Sequence, residues 1–389
     1  MRRPIGPSVS MSLDLIRFCL ALTVAAGHWS LSLFQTSWPF GMAYFGIASV
    51  GGFFVLSGYT IGMISPSRAG FEASRYFSDR LSRLWSVVLP ALVLTCALDY
   101  AAYLINPAYY LGHWVANASH PVGRVLANLF FTNEIWAFEV LPFSNAPFWS
   151  LGYEAWFYVL FGLFMARRTG MMVLVAVLVG PNIVLLMLPW LIGVGLFAFF
   201  RRDLSNRQLW TTCLASLLLL APCAVLLFGH TPVLLQAVKI TGPIYARFAP
   251  FALDGPKFLV LYSSLLFVPC FAAVLSAAKL VDRVVDVPTV LVRAARALGE
   301  ATFPLYLLHF PVFVLCAAIG FYDRTSPAVT TAIFIAVCCA IFLVTPLTDR
   351  FKIYLRGVLN GAVGVMTRRE RAITPLPSSP LAPSGNTDV

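Results

Sequence analysis

The chain has 389 residues, of which 59% are hydrophobic and only 11% charged, well under the share of about a quarter found in soluble domains. That composition excludes an ordinary soluble enzyme and describes an integral membrane protein. Lys and Arg number 27 against 16 Asp and Glu, for a formal net charge of +11. In a soluble protein that excess would suggest nucleic acid, but here it reads as a topology signal, and no nucleic-acid partner is expected.

At the N-terminus, MRRP followed by FCLALTVAAG has the outline of a secretory signal. Asp14 and Arg17 sit against that apolar stretch, where a signal peptide tolerates charge poorly, so a first membrane helix is the better reading. Apolar runs of about 20 residues predict spans over 12–34, 41–64, 84–105, 147–166, 209–228, 257–278, 301–320 and 327–347. The run 171–200 is too long for one untilted span. Arg167 and Arg168 precede it and Arg201 and Arg202 follow it, so both ends belong on the inner side and two crossings are expected, with a turn at Pro181-Asn182.

The expected fold is therefore an all-α polytopic membrane protein of about ten transmembrane helices with both termini cytoplasmic. In that arrangement 21 of the 27 Lys and Arg residues lie on the inner side; Arg124, Lys239, Arg247, Lys257 and Arg324 lie outside, and Arg17 lies within the membrane. Sizeable outer loops, rich in aromatics and proline, are expected at 106–146 and 229–256. An inner loop at 65–83 carries Arg68, Arg75, Arg80 and Arg83. Residues 1–365 form one membrane-embedded domain, and the Pro- and Ser-rich stretch 366–389 reads as a disordered cytoplasmic tail. The eight cysteines show no metal-type pairing and mostly lie in apolar segments, so they are read as small packing residues. No internal repeat is visible.

Ionisable side chains at membrane depth are costly and face a protein interior or a wet cavity. In the first helix Arg17 and His28 are 11 residues apart, about three turns and roughly 16 Å of rise, on nearly one face. Asp14, three residues before Arg17, can pair with it. Arg17 alone could equally be an anchor reaching for the inner interface, and His28 alone a donor to a neighbouring helix. FFVLSGYTIG at 53–62 places Ser57 and Tyr59 among Gly51, Gly52, Gly58 and Gly62, a pattern that also serves plain helix packing. Arg80 and Arg83 form an R-x-x-R pair suited to a phosphate-bearing ligand or to ordinary inner-side charge. PFWSLGYEAWFYVLFG at 147–162 puts Glu154 inside a span with Ser150 one turn earlier, and ATFPLYLLHFPVFVL at 301–315 carries His309 with Tyr306 three residues before it.

In this order and spacing, R-x10-H, FFVLSGY, the arginine pair, WSLGYEAWFY and YLLHFPV resemble the acyltransferase 3 membrane proteins of the O-antigen acetylase type, over residues 11 to about 350. The resemblance implies a membrane-bound O-acyltransferase of a bacterial inner membrane. It would carry an acyl group, usually acetyl, from cytoplasmic acyl-CoA to a hydroxyl on a glycan or lipid-linked saccharide, with no metal. It further implies His28 as general base, Arg17 as a pore residue, and Arg80 and Arg83 as contacts for the CoA phosphates, with Ser57 and Tyr59 assigned to the donor site. Glu154 and His309 match the remaining motif positions. The chain departs from the family where Glu154 is followed by Ala155 rather than a second carboxylate, and where Trp85 and Pro90 are spaced loosely after the arginines. No fused soluble domain is expected.

The chemistry of the residues agrees, since acyl transfer to an alcohol needs a base that titrates near neutrality. Two other readings use the same buried groups. A secondary transporter would employ Arg, Glu and His for solute or proton coupling and would show internal symmetry. A non-catalytic membrane partner of glycan assembly would use them as structural pairs.

Overall fold

In lipid every backbone N–H and C=O must find its partner within the segment, so long apolar stretches form helices. A computed structural model of the protein describes residues 5–29, 42–65, 68–112, 119–136, 138–225, 255–320 and 326–373. In chain order the helices are α1 (Pro7–His28), α2 (Met42–Ile64), α3 (Ala73–Ile105), the short α4 (Pro107–Gly112) and α5 (Pro121–Leu129), α6 (Trp149–Met165), α7 (Thr169–Val179), α8 (Pro181–Phe200), α9 (Asn206–Ala224), α10 (Gly255–Val281), α11 (Thr289–Ile319) and α12 (Pro327–Ile373). Among the described residues there is no strand. Seven of these helices, α1, α2, α3, α8, α10, α11 and α12, are long and apolar enough to cross a membrane. α6 and α7 are shorter, with 17 and 11 residues, and α9 is more polar.

Three boundaries differ from the sequence reading. α3 begins at Ala73, so Arg75, Arg80 and Arg83 stand on a continuous helix rather than in an inner loop; no Gly or Pro interrupts 73–89 to stop it. The run 171–200 breaks at Gly180 rather than at Pro181-Asn182. Gly180 adopts φ +93°, which L side chains avoid, and Pro181 then opens α8 at the first helical position. α12 continues through Ile373, past the boundary drawn at 365. The remainder of the expected tail, 374–389, and nearly all of the expected outer loop at 229–256 lie outside the described residues.

The segment between α3 and α6 is tied down by polar contacts. Trp136 clasps the break at Gly180: its backbone N–H donates to Val179 O at 3.0 Å and its indole N–H to Leu178 O at 2.9 Å. The Arg124 guanidinium donates to Leu141 O at 3.0 Å, and Asn128 Nδ2 to Val140 O at 2.8 Å. Asp282, between α10 and α11, caps the start of α1. Its carboxylate accepts Ser8 N–H at 2.7 Å and Val9 N–H at 3.4 Å, where the helix leaves donors unpaired and its dipole favours negative charge.

α2 and α11 are the most enclosed spans, 67% and 72% buried over their apolar windows. α2 can sit at the centre because it meets α8 almost backbone to backbone. A methyl group at Gly58 would stand 1.8 Å from Trp190 O, and one at Gly193 would stand 1.9 Å from Val55 O. These are the small-residue contacts that membrane helices use in place of a hydrophobic drive.

Gly193→Leu is therefore expected to destabilise the protein by about 3 kcal/mol or more through overpacking. Gly195→Leu, two residues on with open space around it, serves as the control, and thermal melting of the two variants in detergent measures the difference. Equal melting temperatures would show that α2 and α8 do not cross as described.

Candidate active site

Between α1, α2, α3, α6 and α11 lies a cavity lined by both charged and apolar side chains. All five helices contribute polar groups to its wall. Arg17 of α1 pairs with Asp14 one turn below at 3.2 Å, and its Nη2 donates to Thr60 Oγ1 of α2 at 3.4 Å. Arg80 and Arg83, one turn apart on α3, face the same space. Arg80 stacks toward the Tyr158 ring at 5.9 Å and Arg83 over the Phe303 ring at 5.2 Å. Among the described residues neither of these two arginines holds a salt bridge. Arg80 Nη1 is buried with no hydrogen-bond partner. Three guanidinium groups thus face Glu154, the cavity's carboxylate, and an orphaned donor in such a place suits an anionic ligand.

One level up, Glu154 of α6 collects its neighbours. Its Oε1 accepts Ser57 Oγ–H of α2 at 2.7 Å and the phenolic hydroxyl of Tyr158, and Trp190 Nε1 of α8 donates to Ser57 Oγ at 3.2 Å. Tyr158 follows Glu154 by four residues, the spacing that lays two side chains along one helix face. The next level is the Ser150 Oγ to Tyr306 hydroxyl bond at 2.7 Å, joining α6 to α11, with the Phe53 ring edge-on to Tyr306 at 5.4 Å. The wall becomes apolar here.

One turn beyond Tyr306 stands His309, fully buried. Its Nε2 lies 2.8 Å from His28 Nδ1, and its Nδ1 lies 2.7 Å from Leu305 O. Phe310 meets His28 edge-on at 5.1 Å and Phe313 meets His309 at 5.4 Å, so the pair sits in a ring of aromatic carbon. Pro311 shapes the same stretch of α11. It has no N–H, so the Leu307 carbonyl lacks its helical donor. Asn145, from the segment before α6, supplies that donor with Nδ2 at 2.8 Å and also reaches Thr95 Oγ1 of α3 at 2.8 Å. The neighbouring Ser144 donates from its backbone and hydroxyl to Asp99 at 2.8 and 2.6 Å.

The residues singled out in the sequence fall at two depths. Arg17, Ser57, Arg80, Arg83 and Glu154 come together around the cavity, with Tyr306 at its far end and Ser150 bonded to it. His28 and His309 form a separate pair, with His28 three turns above Arg17, roughly 16 Å along α1. Arg17 is thus a cavity residue rather than a lipid-interface anchor. Tyr59 stands apart from both groups: it is 6% exposed and packs edge-on against Phe197 of α8 at 5.6 Å. Thr60, Tyr158, Thr302 and Phe303 line the cavity without having been singled out. For Tyr158 the spacing from Glu154 was a usable signal.

A family model described as an acyltransferase domain matches residues 11–348, nearly the whole chain. The chain belongs to the acyltransferase 3 family. No curated protein and no solved structure gives a match. As a member of that family the protein is a multi-pass membrane acyltransferase, and the cavity and the histidine pair both lie within the matched residues.

Asn145→Ala is expected to cost about 1–3 kcal/mol, because it strands the Leu307 carbonyl and the Thr95 hydroxyl in a buried site. The loss is read by thermal melting in detergent. A variant as stable as wild type would show that the segment before α6 is not held on α11 by this contact.

Proposed function

We propose that this acyltransferase takes an acyl group, acetyl in the first instance, from cytoplasmic acyl-CoA and delivers it to a hydroxyl of a glycan or other cell-surface acceptor, as the O-antigen acetylase type does. The observation that carries the reading is the cavity with three guanidinium groups, one with a buried unsatisfied donor, ending one turn short of a histidine pair. Acyl-CoA is a phosphate-bearing head on a long arm that ends in a thioester. Arg80 and Arg83 would hold the phosphates, with Arg17 beside them, and the arm would extend past Ser57 and Glu154 toward Tyr306.

His28 is then the general base. The acceptor oxygen attacks the thioester carbonyl while its proton passes to His28, and the tetrahedral intermediate collapses with cleavage of the C–S bond. The departing thiolate takes the proton back, leaving an ester and free CoA. Arg17, three turns below, serves donor binding rather than the reacting carbonyl. Glu154 keeps Ser57 and Tyr158 turned to the cavity wall. The topology that suits this chemistry is ten crossings by α1, α2, α3, α6–α12, with both termini cytoplasmic and the protein in a bacterial inner membrane. The arginine end then opens to the cytosol and the histidine end to the outer side, and Arg167–Arg168 with Arg201–Arg202 keep both ends of the α7–α8 unit inside.

Calorimetric titration of acetyl-CoA into the detergent-purified protein tests the reading. The Arg80→Ala, Arg83→Ala double variant is expected to lose about 3 kcal/mol, roughly 150-fold in affinity. His28→Ala is expected to bind like wild type and to release no CoA. Failure of well-folded wild type to bind acetyl-CoA would overturn the proposal and turn attention to solute transport.

A further inference from the structure

The histidine pair holds more information than the identity of a base. The imidazoles are nearly coplanar, 18° apart, with centroids 5.1 Å apart and the facing nitrogens 2.8 Å apart. The centroid separation exceeds the nitrogen separation by about two ring radii, so the rings meet edge to edge. That is the arrangement of an N–H···N hydrogen bond rather than of face stacking.

The direction of that bond follows from the third partner. The Leu305 carbonyl, 2.7 Å from His309 Nδ1, can only accept. A neutral His309 therefore carries its proton on Nδ1 and presents a lone pair at Nε2. His28 Nδ1 lies 2.8 Å from that lone pair, and two lone pairs do not approach so closely. The proton between the rings must come from His28. A neutral imidazole has one N–H, so the basic nitrogen of His28 is Nε2.

We infer that His309 is a positioning residue that holds His28 as its Nδ1–H tautomer, so that His28 Nε2 is the atom that takes the acceptor hydroxyl's proton. The inference rests on the acyl-transfer reading for what His28 does, and on geometry alone for which nitrogen does it. When Nε2 takes the proton, the resulting imidazolium keeps its Nδ1–H bond to His309 Nε2, so its positive charge meets a lone pair already in place. Leu305 is part of the same device, since its carbonyl fixes His309. A carboxylate is the commoner orienter of a catalytic histidine; a neutral imidazole does the same without placing a negative charge among phenyl rings, where an ion would be costly to bury.

Two replacements separate positioning from mere packing. In His309→Gln the amide oxygen can stand where Nε2 stood and accept from His28, whereas in His309→Met a side chain of similar reach offers no comparable acceptor. The first readout needs no acceptor substrate: long-range 1H–15N correlation on 15N-histidine-labelled protein in detergent, with the His28 signals assigned by their loss in His28→Gln. His28 is expected as the Nδ1–H tautomer in wild type and in His309→Gln, and in His309→Met it should shift toward the Nε2–H form. Retention of one tautomer in all three would overturn the inference.

The second readout is CoA release from acetyl-CoA by membrane vesicles carrying each variant. His309→Met is expected to lower kcat by 10- to 100-fold with the KM for acetyl-CoA unchanged, and His309→Gln to recover most of it. Equal loss in both variants, or a rise in KM instead, would also overturn it. The expected tautomers together with no CoA release by wild type would support the assignment of the histidine pair and sink the acyl-transfer reading instead.

Discussion

A guanidinium group at membrane depth cannot face lipid, and most of the interior follows from meeting that constraint. Arg17 is drawn inward by Asp14 on its own helix and by Thr60 across α2. Arg80 and Arg83 bring a second and third positive charge from α3 into the same space. Three like charges do not pack against one another, so the helices that carry them stand apart and leave a cavity. Glu154 offsets part of that charge while engaging Ser57 and Tyr158. The remainder has no counter-ion among the described residues lining the cavity, which is the electrostatic condition for drawing in an anion.

Glycine and proline set how the helices close around this space. Gly58 and Gly193 let α2 and α8 touch along their backbones, which brings the Trp190 indole against Ser57 and ties the cavity wall to a helix outside it. Gly299 does a similar service on α11, where a methyl group would come within 2.7 Å of the Asp14 carboxylate. Pro311 works by subtraction. By removing one helical donor it leaves the Leu307 carbonyl for Asn145, and so fastens the segment before α6 on α11 next to the histidines. The charged level and the histidine level are therefore braced by different contacts, with the Ser150–Tyr306 bond between them.

Much of the site was legible because ionisable residues are rare in apolar sequence and each one stands out. The R-x10-H spacing put Arg17 and His28 on one helix face, and the arginine pair and Glu154 were visible as charges needing partners. Helical geometry also explains why two residues of one motif part company. Ser57 and Tyr59 sit two residues apart, on opposite sides of α2, so a motif that names both cannot place both in one cavity. Ser57 meets Glu154, and Tyr59 turns to Phe197. Thr60 and Thr302 were passed over because a lone threonine in an apolar run carries no signal of its own.

By itself the sequence determined the class of protein, the approximate membrane helices, the family and the side chains that bear chemistry, because hydropathy, charge and motif order are properties of the chain read locally. Only the tertiary structure decided which of those side chains meet. His28 and His309 are 281 positions apart, and nothing within either helix indicates that their rings share a hydrogen bond or which nitrogen of each carries the proton. That the rings meet is settled where α1 packs along α11, and the proton placement inferred above follows from the Leu305 carbonyl, which can only accept. The break at Gly180 was decided the same way, since Trp136 of a distant segment clasps the residues around it and local turn chemistry alone pointed one step further along the chain.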